Sequence, residues 1–252
     1  SPVMLRLCAL GCFTLATAIA LAQDPVIDPA KVASKGLKGE VVPSPYRAYM
    51  VVDNRYPPKV AGSTNPDDRS PKDTTNKIHD LVCEHGLNPV VAIFVRKEAK
   101  DLPGVAKLAG EMNKLMTFPE YRGNKLASFV MFLNIEGMPK SVTVTNPDKT
   151  QTMVELDAEY PDDEKRDIPY ATAIKDYASA LKTPNVVFGL APVTSKANTA
   201  WSLDPADDVT VVFFNRIRIV DRWKFAADGP SDEQIKTILA TVEDSVLGTK
   251  KP

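Results

Sequence analysis

The sequence predicts an α/β protein whose helices flank a central mixed sheet in three layers. Three observations carry that reading. Two uninterrupted apolar runs of strand length, 89–95 (PVVAIFV) and 126–133 (LASFVMFL), enclose a stretch of helical spacing, as buried parallel strands do. A pair of β-prone segments, VTVVFF and IRIVDRWKF, flanks Asn215-Arg216. An amphipathic segment opening with Ser231 and Gln234 then closes the chain.

From Met4 the chain reads MLRLCALGCFTLATAIALAQDP. One cation, Arg6, precedes an apolar run to Leu21 that ends Ala20-Leu21-Ala22, the small-x-small pattern of signal-peptide cleavage. The run has about fifteen residues, short of the roughly twenty a spanning helix needs. Residues 1–22 are therefore expected to be an export signal cut after Ala22, leaving an exported, periplasmic or extracellular protein with no stable membrane span. Residues 23–45, rich in Pro, Lys and Gly, suit a flexible lead-in. A single domain is expected over 46–252, with its core at about 78–247.

Within that domain, Tyr46–Val52 is a short β-prone run. The turn formers of 56–76 predict a surface loop. After the strand at 89–95, Val105, Leu108, Ala109, Met112, Leu115 and Met116 recur at helical spacing. Strand, helix and strand in close succession favour a right-handed parallel crossover. Ser141–Thr145 and Gln151–Leu156, joined by Asn146-Pro147-Asp148-Lys149, predict a hairpin within an insertion at about 137–167. Tyr170, Ala173, Ile174, Tyr177, Ala178 and Leu181 mark one face of a helix over 168–181, and 185–190 (NVVFGL) is a short strand. Asn215-Arg216 has the length of a two-residue hairpin turn. Ser231 and Gln234 form a capping box for a helix that buries Ile235, Ile238, Leu239, Val242 and Val246.

The net charge of −1 and pI near 6.2, with no strongly basic stretch, exclude a nucleic-acid partner; the partner expected is an unidentified protein or small molecule. No Gly-rich phosphate loop, Gly-x-Ser-x-Gly elbow or His-Glu-x-x-His motif occurs, so no cofactor is expected. Asp204, Asp207 and Asp208 suit a turn cap.

One cluster has the residue types for chemistry. The chain has 3 cysteines and 2 histidines; loss of residues 1–22 removes Cys8 and Cys12, leaving Cys83 between His79 and His85. An imidazole beside a thiol can stabilise the thiolate or carry its proton. A helical segment would put His79 one turn from Cys83, and an extended one would put His85 on the same face. Cys83 can equally pack as a small hydrophobe among Leu81, Val82 and Leu87, or pair with another chain. Imidazole and thiolate suit zinc or copper, yet the spacing matches no closed four-ligand motif, and no metal is expected.

The order of elements resembles the thioredoxin fold. VTVVFFNRIRIVDRWKF is similar to the terminal hairpin of thioredoxin-like proteins, and CEHGLNPVVAIFVR resembles a stretch of exported bacterial members. The resemblance spans about 78–247. It implies a Cys-x-x-Cys pair where the first core strand meets its helix, and a cis-proline before the hairpin strand. This chain instead has 97–104 (KEAKDLPG) and Asp207-Asp208, so dithiol exchange is not expected. Two functions remain: a binding or scaffold module without enzymatic activity, or a single-thiol oxidoreductase, a weak peroxidase or thiol sensor, with Cys83 as thiol and His79 or His85 modulating it. N-terminal sequencing of the exported product is expected to begin at Gln23.

Overall fold

Residues 90–95 hold no polar side chain because they form a strand paired along both edges and packed on both faces. The computed structural model describes residues 38–57, 70–133, 141–145, 148–155, 171–191 and 196–248. Its strands are β1 (Arg47–Val52), β2 (Lys77–Asp80), β3 (Val90–Val95), β4 (Ala127–Phe132), β5 (Ser141–Thr145), β6 (Gln151–Glu155), β7 (Val186–Leu190), β8 (Val209–Asn215) and β9 (Arg218–Phe225). The helices are α1 (Leu81–His85), α2 (Pro103–Leu115), α3 (Pro119–Gly123), α4 (Ala171–Leu181), α5 (Lys196–Ala200) and α6 (Asp232–Leu247). Seven strands form one sheet in the order β2-β1-β7-β4-β3-β8-β9. β3 is parallel to β4 and β4 to β7, whereas β8 lies antiparallel to β3 and β1 antiparallel to β7. The predicted hairpin of β5 with β6 is present as a separate two-stranded sheet.

Side chains of β3 alternate between two cores. Val91, Ile93 and Val95 meet Val105 and Leu108 of α2, Ile174 of α4 and Ile238 of α6. Ala92 and Phe94 face the other way, toward Tyr46, Leu81, Val82 and Trp201. The three long helices thus pack against one face. The opposite layer consists of short α1 and α5 with irregular chain, centred on aromatic edges: Phe94 lies 5.2 Å from Trp201 and 5.4 Å from Tyr46 between ring centroids. The Trp201 indole N–H is satisfied by the carbonyl of Pro43 at 2.9 Å. This is the thioredoxin-like α/β arrangement that the order of elements implies.

Several local expectations are corrected. Residues 38–45, expected as the end of a flexible lead-in, run beside β9: the Gly39 N–H donates to the Ile219 carbonyl at 2.6 Å and the Val42 N–H to that of Ile217 at 2.9 Å. An edge strand's unpaired backbone groups supply the attraction. The expected surface loop contains buried Asp73 and Thr74, because Thr74 Oγ1 donates to the buried Asp53 carboxylate at 2.7 Å. Two-residue closure of the β8–β9 hairpin falls one position later than expected, on Arg216 and Ile217, both at positive φ (51° and 56°). By alternation Ile217, Ile219, Trp223 and Phe225 would share one face, but a register shift between Phe213 and Phe214 divides them: Ile219 joins one core, whereas Trp223 and Phe225 pack against the other, and Ile217 lies in the exposed turn. Such a bulge reverses side-chain alternation. Ala173 of α4 is exposed, and Tyr170 lies outside the described residues, as do residues 1–22, expected to be an export signal, and part of the insertion.

The capping box of α6 is present: the Ser231 N–H donates to Gln234 Oε1 at 2.8 Å, and the Gln234 N–H to Ser231 Oγ at 3.4 Å. Just ahead of it the chain crosses the start of α2 so closely that a Cβ on Gly104 would lie 2.5 Å from the backbone oxygens of both Asp228 and Pro230. Gly104→Ala should therefore destabilise the protein by about 2 kcal/mol, measurable as a lower urea midpoint.

Candidate ligand cleft

In thioredoxins the chemistry sits where the first core strand enters its helix; here that junction runs from β3 to α2. Arg96 turns inward, its guanidinium donating to the Leu203 carbonyl at 2.6 Å and to that of Asp204 at 3.1 Å. Lys97 pairs with Asp208 at 3.2 Å. The Gly104 N–H, a free donor of the helix start, is taken by the Asp228 carbonyl at 2.8 Å. A helix N-terminus stabilises a thiolate through such free donors. No cysteine stands there, and the chain itself fills the position.

The cluster at 79–85 lies at the opposite end of the sheet, before β3 begins. Asp80 caps α1, accepting from the Val82 N–H at 3.0 Å and the Cys83 N–H at 3.2 Å. One turn of helix buries Leu81, Val82 and His85. It leaves Cys83 exposed and Leu87 67% exposed, so packing of Cys83 as a core thiol is overturned. Cys83 Sγ lies 3.2 Å from Ser44 Oγ. Hydrogen bonding to Asp80 pushes the thiol pKa above its ordinary 9.0, against the opposite pull of Ser44. Neither histidine is among the groups that shift it. Adjacency in sequence has not become adjacency at the sulfur.

The histidines instead belong to a different arrangement. His79 is on β2, with Nε2 2.9 Å from Glu84 Oε2. Arg55 binds two carboxylates at once: its Nε and Nη2 each donate to Asp53 at 2.8 Å, and Nη1 donates to Glu84 Oε1 at 2.8 Å. Paired forks of this kind are the strong ion pairs. Burial pushes the Asp53 carboxyl up, but the hydrogen bonds and charge of Arg55 outweigh it and hold it below 3.8. Burial likewise opposes Glu84 ionisation, while hydrogen bonds from His79 and Arg55 lower it to about 2. His85 is 9% exposed, and burial lowers it to about 4, so the ring is neutral at pH 7. Its Nε2 is buried without a hydrogen-bond partner.

His79, Glu84, His85 and Arg55 line an open cleft of about 940 Å³ at the start of the parallel strands. Lys72, Lys77, Arg122 and Lys125 also line it, and Cys83 does not. Sequence reasoning found the two histidines but missed Arg55 and these four cations. They are spread over some seventy positions without a local motif, and only folding gathers them. Among the described residues no group of three or more His, Cys, Asp or Glu is placed to hold a metal ion. Asp204 instead caps its turn, accepting from the Ala206 N–H at 2.9 Å, and Asp207 pairs with Lys224 at 2.7 Å. Among the described residues no helix is long and apolar enough to cross a membrane.

No protein-family model and no curated protein matches the chain. It is similar in fold to an uncharacterized conserved protein from Geobacillus kaustophilus, with 14% identity, 87% of each chain covered and a TM-score of 0.49. Mycobacterium bovis AhpC has 11% identity over 85% of this chain and 94% of that one, with a TM-score of 0.49. A secreted Mycobacterium tuberculosis disulfide oxidoreductase homologous to E. coli DsbE has 8% identity over 79% and 94%, with a TM-score of 0.41. Likeness at this level carries no residue role to this chain.

Stability should fall in acid, first through His85. Below its ordinary 6.5 the unfolded chain takes up a proton that the folded ring refuses until about 4. The unfolded state holds more protons in that window, so stability rises with pH across it, and about 3 kcal/mol is lost on descending to pH 4. Glu84 adds a further loss below its ordinary 4.5, as the folded carboxyl protonates near 2. Thermal melts between pH 7 and 4 should show this slope, and His85→Gln should remove most of it above pH 4.5.

Proposed function

We propose that the protein is an exported thioredoxin-fold binding module without dithiol exchange, which takes a small-molecule ligand in the cleft beside α1. The observation that carries this reading is the contrast between the two ends of the sheet. At the junction of β3 with α2, backbone and ion pairs fill the place where thioredoxins keep their thiols. At the other end an open cavity is lined by cations and by His85, whose Nε2 is buried just behind the surface without a partner. Cavities of this size suit small organic molecules. The apolar run before Ala22 supports export.

A second reading rests on the exposure of Cys83, which would let it form mixed disulfides or meet peroxide. The raised thiol pKa opposes it, since the thiolate is the nucleophile.

Three measurements on the purified protein separate the readings. Insulin disulfides should not be reduced catalytically, because turnover needs an attacking and a resolving thiol. Iodoacetamide should label Cys83 without denaturant, as exposure allows. Its rate at pH 7, and that of oxidation by hydrogen peroxide, should not exceed those of free cysteine. Peroxide oxidation 100-fold or more above free cysteine, on the order expected of a strongly activated thiol, would establish the thiol reading instead.

A further inference from the structure

Four cationic side chains line the cleft, and among the described residues none of them has a carboxylate paired with it. Lys72 precedes the buried Asp73-Thr74 pair, Lys77 opens β2, Arg122 is on α3 and Lys125 follows it. The two carboxylates that also line the cleft are already engaged. Glu84 is bound by Arg55 at 2.8 Å and by His79 at 2.9 Å. Asp73 is buried and accepts from the Thr75 N–H at 2.8 Å. Like charges lining one concave site focus a positive potential into it, and among the described lining residues both carboxylates are already bound.

The second observation is independent of charge. His85 forms part of the same lining, nine-tenths buried, and its Nε2 has no partner. A buried nitrogen in that state lacks the hydrogen bond that such groups almost always make. A hydroxyl satisfies it in either tautomer, because it both donates and accepts.

Resting on the binding-module reading, we propose that the cleft binds a small hydroxylated organic anion, its charged group among Lys72, Lys77, Arg122 and Lys125 and a hydroxyl that meets His85 Nε2, closed to solvent in the empty cleft, as the ring turns toward the ligand. Phosphate and carboxylate both supply the charge, so sugar phosphates and sugar acids share the chemistry. The volume of about 940 Å³ exceeds what an inorganic ion fills and falls within the range of small-molecule sites.

The test is calorimetric titration of the purified protein with glucose 6-phosphate, gluconate, inorganic phosphate and glucose. At least one of the two hydroxylated anions should bind about tenfold or more tighter than phosphate or glucose, and more weakly as salt rises; which of them wins identifies the charged group. Arg122→Ala with Lys125→Ala should weaken that ligand about tenfold and flatten its salt dependence. Both residues are exposed, so the variant is expected to fold, as an unchanged melting temperature would show. His85→Phe should remove the advantage over inorganic phosphate while leaving phosphate binding in place.

Absence of binding by both anions at millimolar concentration overturns the proposal, as does binding indifferent to the Arg122 and Lys125 changes. Glucose binding as tightly as its phosphate, with competition at the cleft, overturns the anion assignment and leaves the binding module standing. Peroxide turnover dependent on Cys83, with no probe bound, removes both.

Discussion

Everything in this fold hangs on the two-sided pairing of β3. Its backbone donors and acceptors are met by β4 on one edge and β8 on the other, and both faces are dry. Backbone polar groups buried away from water must be paired. That requirement forces a parallel neighbour on one side and the terminal hairpin on the other. Once they are in place, the sheet has two chemically distinct ends. At the carboxyl end of β3, Arg96 and the 228–230 segment close the space. At the amino end the chain enters through α1, and the wall there is polar.

That polarity is organised by Arg55. One guanidinium holds Asp53 on one side and Glu84 on the other, and Glu84 in turn holds His79. Asp53 also binds Thr74 and thereby fixes the strap leading into β2. β1, β2, α1 and the strap are thus tied by charge as well as by the apolar side chains they bury. Breaking a buried pair from one side leaves an uncompensated charge on the other, so this network is far more sensitive to loss of one partner than an exposed ion pair.

Much of the architecture was legible because its signals are local. Apolar runs identify β3 and β4, helical spacing identifies α2, and Ser231 with Gln234 identifies the start of α6. The places of β1 and β2 were not legible, because β1 pairs with β7 across more than a hundred residues and nothing in YRAYMVV names that neighbour. The bulge at Phe213/Phe214 escaped for another reason: alternation extends through Asp221 on paper, and only the register shows the slip. At the cleft, His79 and His85 stood out as a pair, but closeness along the chain suggested the wrong companion. A single helical turn points Cys83 outward and His85 inward. Arg55, Lys72, Lys77, Arg122 and Lys125 carried no signal at all, since scattered cations are what any solvated surface contains.

The contact of residues 38–45 with β9 has a consequence for behaviour in crowded surroundings. A sheet of seven strands has two open rims, and each is a template on which another copy could add and propagate into a fibre. One rim is β2, only four residues long and bearing Lys77, His79 and Asp80. The other is β9, where the Ile219 carbonyl and N–H are met by Gly39 and Glu40, and the Ile217 carbonyl just ahead of it by Val42, of the same molecule. Residues 39–42 therefore act as a selvedge at the start of that rim, binding the cloth where β9 begins.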